Sequence, residues 1–299
     1  MESSQGDDGM TITVKNLGKS YGSLKALDID QLTIEPGHTY GIVGANGAGK
    51  TTFFKCLTNI ITDYSGEIIF DGHDPKKENA ILTKMGIVLD DLSVYKDYTA
   101  RFNIQYFAGL RGLYDVKKVE QMADEIGLLS VLDRPVKTFS YGMQKKLVLL
   151  IALVNSAEVL ILDEPFRGLD QDTVKWFQTY LRQWTKQEAH TLLISSHVQS
   201  DLESLCETVF VIDHGRIIET LDLTAQSTHA YRLIATNNDE EFENLLASEA
   251  VSFVKTEKGI KIDINSESWK KLYPQLAEHE IVMTSMTNVS ILDQQGGVA

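Results

Sequence analysis

One eight-residue stretch, Gly44-Ala45-Asn46-Gly47-Ala48-Gly49-Lys50-Thr51, constrains this chain more than any other. It fits G-x-x-x-x-G-K-[ST] at every fixed position, after the short apolar run Thr39 to Val43 and ahead of a helical pattern that begins at Thr51. Small residues let such a backbone wrap around phosphates with its N–H groups pointing inward, and the helix amino terminus adds about half a positive charge. Lys50 is then expected to reach the β- and γ-phosphates of a nucleotide, and the Thr51 hydroxyl to ligate Mg²⁺. Gly44, Asn46, Gly47, Gly49, Lys50, Thr51 and Thr52 form the expected phosphate-binding set.

A second feature answers the first. Val159 to Leu162 is an unbroken apolar run ended by Asp163 and Glu164, as expected of a parallel strand buried on both faces. Its carboxyl end is where open α/β sheets bind ligands. Asp163 is expected to orient the Mg²⁺ shell, and Glu164, facing the other way, to polarise a water for in-line attack on the γ-phosphate. Thr191 to Ile194 repeats the apolar run after a helical pattern over Gln171 to Lys186, giving strand, helix, strand and hence a right-handed parallel crossover. His197 follows that strand and is expected to reach the same γ-phosphate from the neighbouring strand end.

Around these motifs, strands are expected at Thr11 to Asn16, Leu24 to Ile34, Gly66 to Phe70 and Gly86 to Leu89, and Tyr98 to Leu153 is mostly helical. Past Thr220 the texture changes to strand, helix, two strands around Lys258-Gly259, helix and strand, a βαββαβ module of ferredoxin-like order. The Asp239 to Glu243 charge run reads as the solvated face of one module helix, and Trp269 and Tyr273 as the buried face of the other. The division therefore falls at 1–220 and 221–299, with a helical subdomain at about 98–155. No repeat relates the two parts, so tandem duplication is excluded.

Composition excludes other classes. With 28 Lys and Arg against 42 Asp and Glu, the formal charge of -14 is the wrong sign for a general nucleic-acid binder. The longest apolar run, Leu147 to Val154, is less than half of the ~20 residues a spanning helix needs, and the acidic start of the chain is no signal peptide. Cys56 and Cys206 lack metal-ligand spacing and are expected to be packed thiols.

From about Thr11 to Thr220 the chain resembles the nucleotide-binding subunit of an ABC transporter, the order of motifs being the specific part. The resemblance implies a P-loop ABC ATPase core with a RecA-like sheet, an antiparallel β subdomain and a helical subdomain, followed here by the small α+β domain. Tyr21 matches the aromatic that stacks on adenine, and no guanine-reading Asn-Lys-x-Asp occurs, so ATP with Mg²⁺ is implied. Phe139-Ser140-Tyr141-Gly142-Met143 is similar to the Leu-Ser-Gly-Gly-Gln signature, making Ser140 and Gly142 ATP contacts. Gly168-Leu169-Asp170 resembles the D-loop that crosses the dimer interface.

Family members pair head to tail around two ATP, which implies a homodimer or a heterodimer with another ATPase subunit, together with a separate transmembrane permease. The chain would then be cytoplasmic, held at the membrane face through that permease. Asp90 stands where most members have the Q-loop glutamine, and is implied as a contact to the metal shell. This departure and Met143 resemble the ABC-2 branch, which exports drugs, peptides or polysaccharides. The alternatives are an ABC ATPase outside transport, acting in cofactor assembly or on nucleic acid or the ribosome, and a low-turnover nucleotide sensor.

Overall fold

The computed structural model describes residues 9–89, 94–110, 114–154, 157–187, 189–224, 230–256 and 259–289. The chain divides into two compact units, Met1–Leu221 and Asp222–Ala299. The first is built on two sheets. Strands β1 (Ile12–Tyr21), β2 (Leu24–Ile34) and β4 (Ser65–Phe70) form an antiparallel sheet in the order β2-β1-β4. Burial alternates along β1 and β2, so each strand gives one face to the core and one to solvent.

The second sheet has six strands in the order β5-β6-β7-β3-β8-β9, namely β5 (Met85–Val88), β6 (Val159–Asp163), β7 (Thr191–Ser195), β3 (Thr39–Val43), β8 (Thr208–Asp213) and β9 (Arg216–Asp222). From β5 to β8 all pairings are parallel. Every residue of β3, β6 and β7 is buried, which is why those segments read as continuous apolar runs. Helix α1 (Lys50–Leu57) lies in a core shared by both sheets: its Phe53 and Phe54 pack in a cluster with Ile12 of β1, Leu27 of β2, Ile42 of β3 and Ile161 of β6.

The segment between β5 and β6 is helical, as expected: α2 (Ala100–Gly109), α3 (Val116–Glu125) and α4 (Tyr141–Val154). Thr99 caps α2 and Asp115 caps α3 through their side-chain oxygens. All of α4 from Leu147 to Val154 is buried, so the apolar run is the centre of this subdomain. Helix α5 (Gln171–Trp184) turns Thr173, Phe177, Leu181 and Trp184 inward at helical spacing, and α6 (Gln199–Leu205) leads into β8.

The second unit runs β10 (Tyr231–Thr236), α7 (Asp239–Ser248), β11 (Phe253–Thr256), β12 (Gly259–Asp263), α8 (Glu267–Leu272), β13 (Met283–Asn288). Its sheet order, β11-β12-β10-β13 with antiparallel neighbours, is the ferredoxin-like arrangement. Ile234, Phe242, Leu246, Ile260, Ile262 and Trp269 form its core.

Three differences from the sequence expectations have physical causes. β1 runs five residues further than its alternating stretch, because pairing with β2 carries the chain on past Asn16, a residue with φ of 49°, to Tyr21. The segment 208–222, to which sequence reading gave no element, forms two strands joined through His214-Gly215, a two-residue connection that closes a hairpin. Tyr273 is not on the buried face with Trp269: α8 stops at Leu272, the chain tightens into a 3₁₀ turn at Pro274, and the tyrosine is 48% exposed.

Asp170 caps α5: its carboxylate accepts from the Thr173 N–H at 2.9 Å and the Thr173 hydroxyl at 2.8 Å, and Lys146 from α4 lies 3.1 Å away. Those bonds hold its carboxyl well below the usual carboxylate range. Replacing it by alanine, Asp170→Ala, is expected to destabilise the first unit by about 1 kcal/mol at pH 7. A depressed native pKa stabilises above the unfolded value and ceases to do so as pH falls through the native one, so the deficit shrinks from pH 7 towards pH 3. Urea titrations followed by tryptophan fluorescence check this; a deficit independent of pH contradicts it.

Candidate functional site

The site lies where β3, β6 and β7 present their carboxyl ends. Between β3 and α1 the chain makes the tight loop 44–49. Gly49 sits at φ of 115°, and a Cβ there would stand 2.7 Å from the Ala26 carbonyl; a Cβ on Gly44 would stand 2.2 Å from the carbonyl of Ile212. Both positions therefore require glycine. No side chain caps α1, so its first N–H groups are left to face the loop. The Lys50 ammonium donates to the carbonyls of Gly44 and Ala45, the latter at 3.1 Å, which folds the side chain back over the loop.

Across from the loop, Asp163 is completely buried at the end of β6. One of its oxygens accepts from the Thr51 hydroxyl at 2.6 Å and the other from the Ser195 hydroxyl at 2.5 Å. Ser195 in turn accepts the Glu164 N–H at 3.0 Å. Glu164 has φ of 46°, a turn of the backbone that takes its side chain away from the Asp163 cluster. Its Oε2 accepts from His197 twice, from the backbone N–H at 3.3 Å and from Nδ1 at 2.7 Å. With Nδ1 carrying the proton, Nε2 of a neutral His197 keeps its lone pair.

These groups share one cleft of about 600 Å³. Tyr21, Asn46, Gly47, Gly49, Lys50, Thr51, Thr52, Asp163, Glu164 and His197, all named from sequence, line it. Tyr21 sits at its edge, 49% exposed, with the Lys19 ammonium 4.8 Å from its ring centroid. Gly44, also named from sequence, is not among the lining residues; it packs against Ile212 and Ala48. Ser140 and Gly142 are not among the lining residues: they open α4, where the Ser140 oxygen accepts the Met143 N–H at 3.3 Å. Asp170, expected at a dimer interface, is the cap of α5. Asp90 lies outside the described residues.

Sequence reasoning missed Ser195 and Arg167. Arg167 lines the cleft beside Glu164, but Phe166-Arg167 carries no pattern of its own. Ser195 ends an apolar run and looked like punctuation; its role comes from the parallel register that sets Asp163 beside it. A hydroxyl and a carboxylate oxygen side by side suit a hard cation such as Mg²⁺, which Thr51 and Asp163 would hold.

A sequence model of the ABC transporter family matches residues 27–167. The lantibiotic transport ATP-binding protein SrtF of Streptococcus pyogenes is 35% identical over 207 residues, covering 69% of this chain and 89% of SrtF. The uncharacterised ABC transporter ATP-binding protein YcbN of Bacillus subtilis is 28% identical over 302 residues, 93% of this chain and 98% of that protein. A solved ATP-binding subunit of an ABC transporter superposes with a TM-score of 0.64 at 20% identity, covering 89% of this chain and 99% of that one. The chain belongs to the ATP-binding proteins of ABC transporters, and it is an ATPase. No helix among the described residues is long and apolar enough to cross a membrane.

Ser195→Ala leaves a buried Asp163 oxygen and the Glu164 N–H each without its donor or acceptor, and is expected to destabilise the first unit by about 1–3 kcal/mol. Chemical denaturation measures it, and an unchanged midpoint with unchanged slope contradicts it.

Proposed function

We propose that this chain is the ATP-hydrolysing subunit of an exporter: it pairs head to tail with a second ATPase subunit, in the simplest case its own copy, around two ATP, and drives a peptide or drug-like compound out through a separate permease. The observation that carries this reading is the convergence of Lys50, Thr51, Asp163, Glu164 and His197 on one cleft.

In that cleft the Tyr21 ring offers a stacking face for adenine, and the loop N–H groups and Lys50 hold the phosphates. Thr51 and Asp163 would hold Mg²⁺, which when bound neutralises charge between the β- and γ-phosphates. Glu164 accepts a proton from the attacking water, and His197 fixes its carboxylate through two bonds to one oxygen, leaving Oε1 for that water. Ser140 and Gly142 open a helix outside this cleft, which supports their use by the ATP of the partner subunit.

An apolar groove of about 190 Å³, lined by residues such as Ile87, Phe107, Leu110 and Ile151, opens on the helical subdomain. Beside it the Phe102 ring stacks on Tyr98 and Tyr106, and Tyr95 meets Tyr98 and Tyr106 edge to face, while each of the four stays more than a third exposed. A clustered aromatic surface of this kind marks a protein-binding face, and it supports docking of the permease there. The transport of a lantibiotic by SrtF supports a peptide-like cargo.

Glu164→Gln is expected to lower ATP turnover by about 10²- to 10⁴-fold while ATP still binds, whereas Lys50→Ala weakens binding itself. Phosphate release and equilibrium nucleotide binding, measured on both variants, separate the two effects; turnover preserved in Glu164→Gln contradicts the assignment. Tyr98→Glu with Leu110→Glu is expected to abolish recovery of the chain with its permease from membranes while its own ATP turnover persists. Undiminished co-purification would move the docking face elsewhere.

A further inference from the structure

Behind His197 lies a second carboxylate that the reaction does not touch. Asp201, in the first turn of α6, is more than nine-tenths buried. Its two oxygens take two donors: Oδ1 accepts from the Gln178 side-chain amide of α5 at 2.9 Å, and Oδ2 from the Ser196 hydroxyl at 3.1 Å. The same Ser196 oxygen accepts the Val198 N–H at 3.0 Å, and the Asp201 N–H donates to the Val198 carbonyl at 3.0 Å. Of the two neighbours of His197 in the chain, Ser196 is therefore bonded to the Asp201 carboxylate, and Val198 is held by the Ser196 hydroxyl and the Asp201 backbone N–H.

His197 spends that constraint on Glu164, because its N–H and Nδ1 meet the same Oε2. An unbroken path runs from Gln178 through Asp201 and Ser196 to His197 and Glu164. We infer that Asp201 is a positioning residue for ATP hydrolysis: clamped by Gln178, it fixes the Ser196-His197-Val198 turn and through it the orientation of the Glu164 carboxylate. This rests on the assignment of Glu164 as the proton acceptor.

The chemistry asks for a carboxylate at this place. Both partners donate, so an acceptor-only group satisfies both bonds; an asparagine would turn its NH₂ towards one of them. Burial, with the Glu164 carboxylate nearby, raises the Asp201 carboxyl above its ordinary value, against the lowering pull of its hydrogen bonds from Ser196 and Gln178 and of the His197 imidazole.

Steady-state ATP hydrolysis by the full chain tests this, using Asp201→Asn and Ser196→Ala singly and combined with Glu164→Gln. Each single variant is expected to lose about 10- to 100-fold in kcat, as small misplacements of a reacting group do, with KM for ATP within about twofold. Added to Glu164→Gln, each is expected to change the residual turnover by less than about twofold, because the group it orients is gone. Three results overturn the inference: kcat within about twofold of the parent, KM rising in step with the fall in kcat, or the full loss repeated in the Glu164→Gln background. Ser196→Ala carries the same expectations if Asp201→Asn does not fold. Parental turnover in Glu164→Gln alone overturns the proton-acceptor assignment and this inference with it; an inactive Glu164→Gln beside a fully active Asp201→Asn overturns this inference only.

Discussion

The first unit depends on how the buried Asp163 carboxylate is satisfied. A charge with no solvent access must find hydrogen bonds on both oxygens, and here Thr51 meets one and Ser195 the other. Those two donors come from the phosphate-loop helix and from the neighbouring strand, so one carboxylate ties together α1, β6 and β7. The loop cannot drift from the strand ends without leaving a buried carboxylate unpaired.

The rest follows outward from this tie. Ser195 passes the constraint on to the Glu164 N–H, where the backbone turns and sends the glutamate side chain towards His197. The two adjacent acidic residues thus acquire different surroundings: Asp163 is buried and bonded twice, while Glu164 opens on the cleft with one oxygen held by His197. The β8–β9 hairpin closes the loop from behind, the Gly215 N–H donating to the Ala48 carbonyl and its own carbonyl accepting from Asp28. The ferredoxin-like unit has a core of its own around Phe242 and Trp269.

Much of the site is legible in sequence because its chemistry fixes residue types at short spacing. A tight loop needs glycines at 44 and 49, and a strand buried on both faces announces itself by the apolar run before Asp163. What stayed hidden depends on convergence across the chain. Ser195 lies 32 positions from Asp163 and Gln178 lies 23 from Asp201, and neither separation leaves a local pattern. The β8–β9 hairpin did leave one, since Val209 to Ile212 is apolar and His214-Gly215 is a turn, but its weight shows only once β3 is seen to pair with β8. Tyr273 misled because helical spacing was carried past Leu272, where α8 ends and the chain passes into the 3₁₀ turn that holds Pro274.

The central claim is that each ATP is completed by the phosphate loop of one chain and the signature residues of another, and mixing two inactive variants tests it most directly. In Lys50→Ala the loop is lost and the signature kept; in Ser140→Arg the reverse holds. A mixed pair of these chains holds one site with both defects and one with neither. The account predicts that the equimolar mixture recovers about a quarter of parental ATP turnover, with each variant alone inactive. A mixture no more active than its components would contradict it.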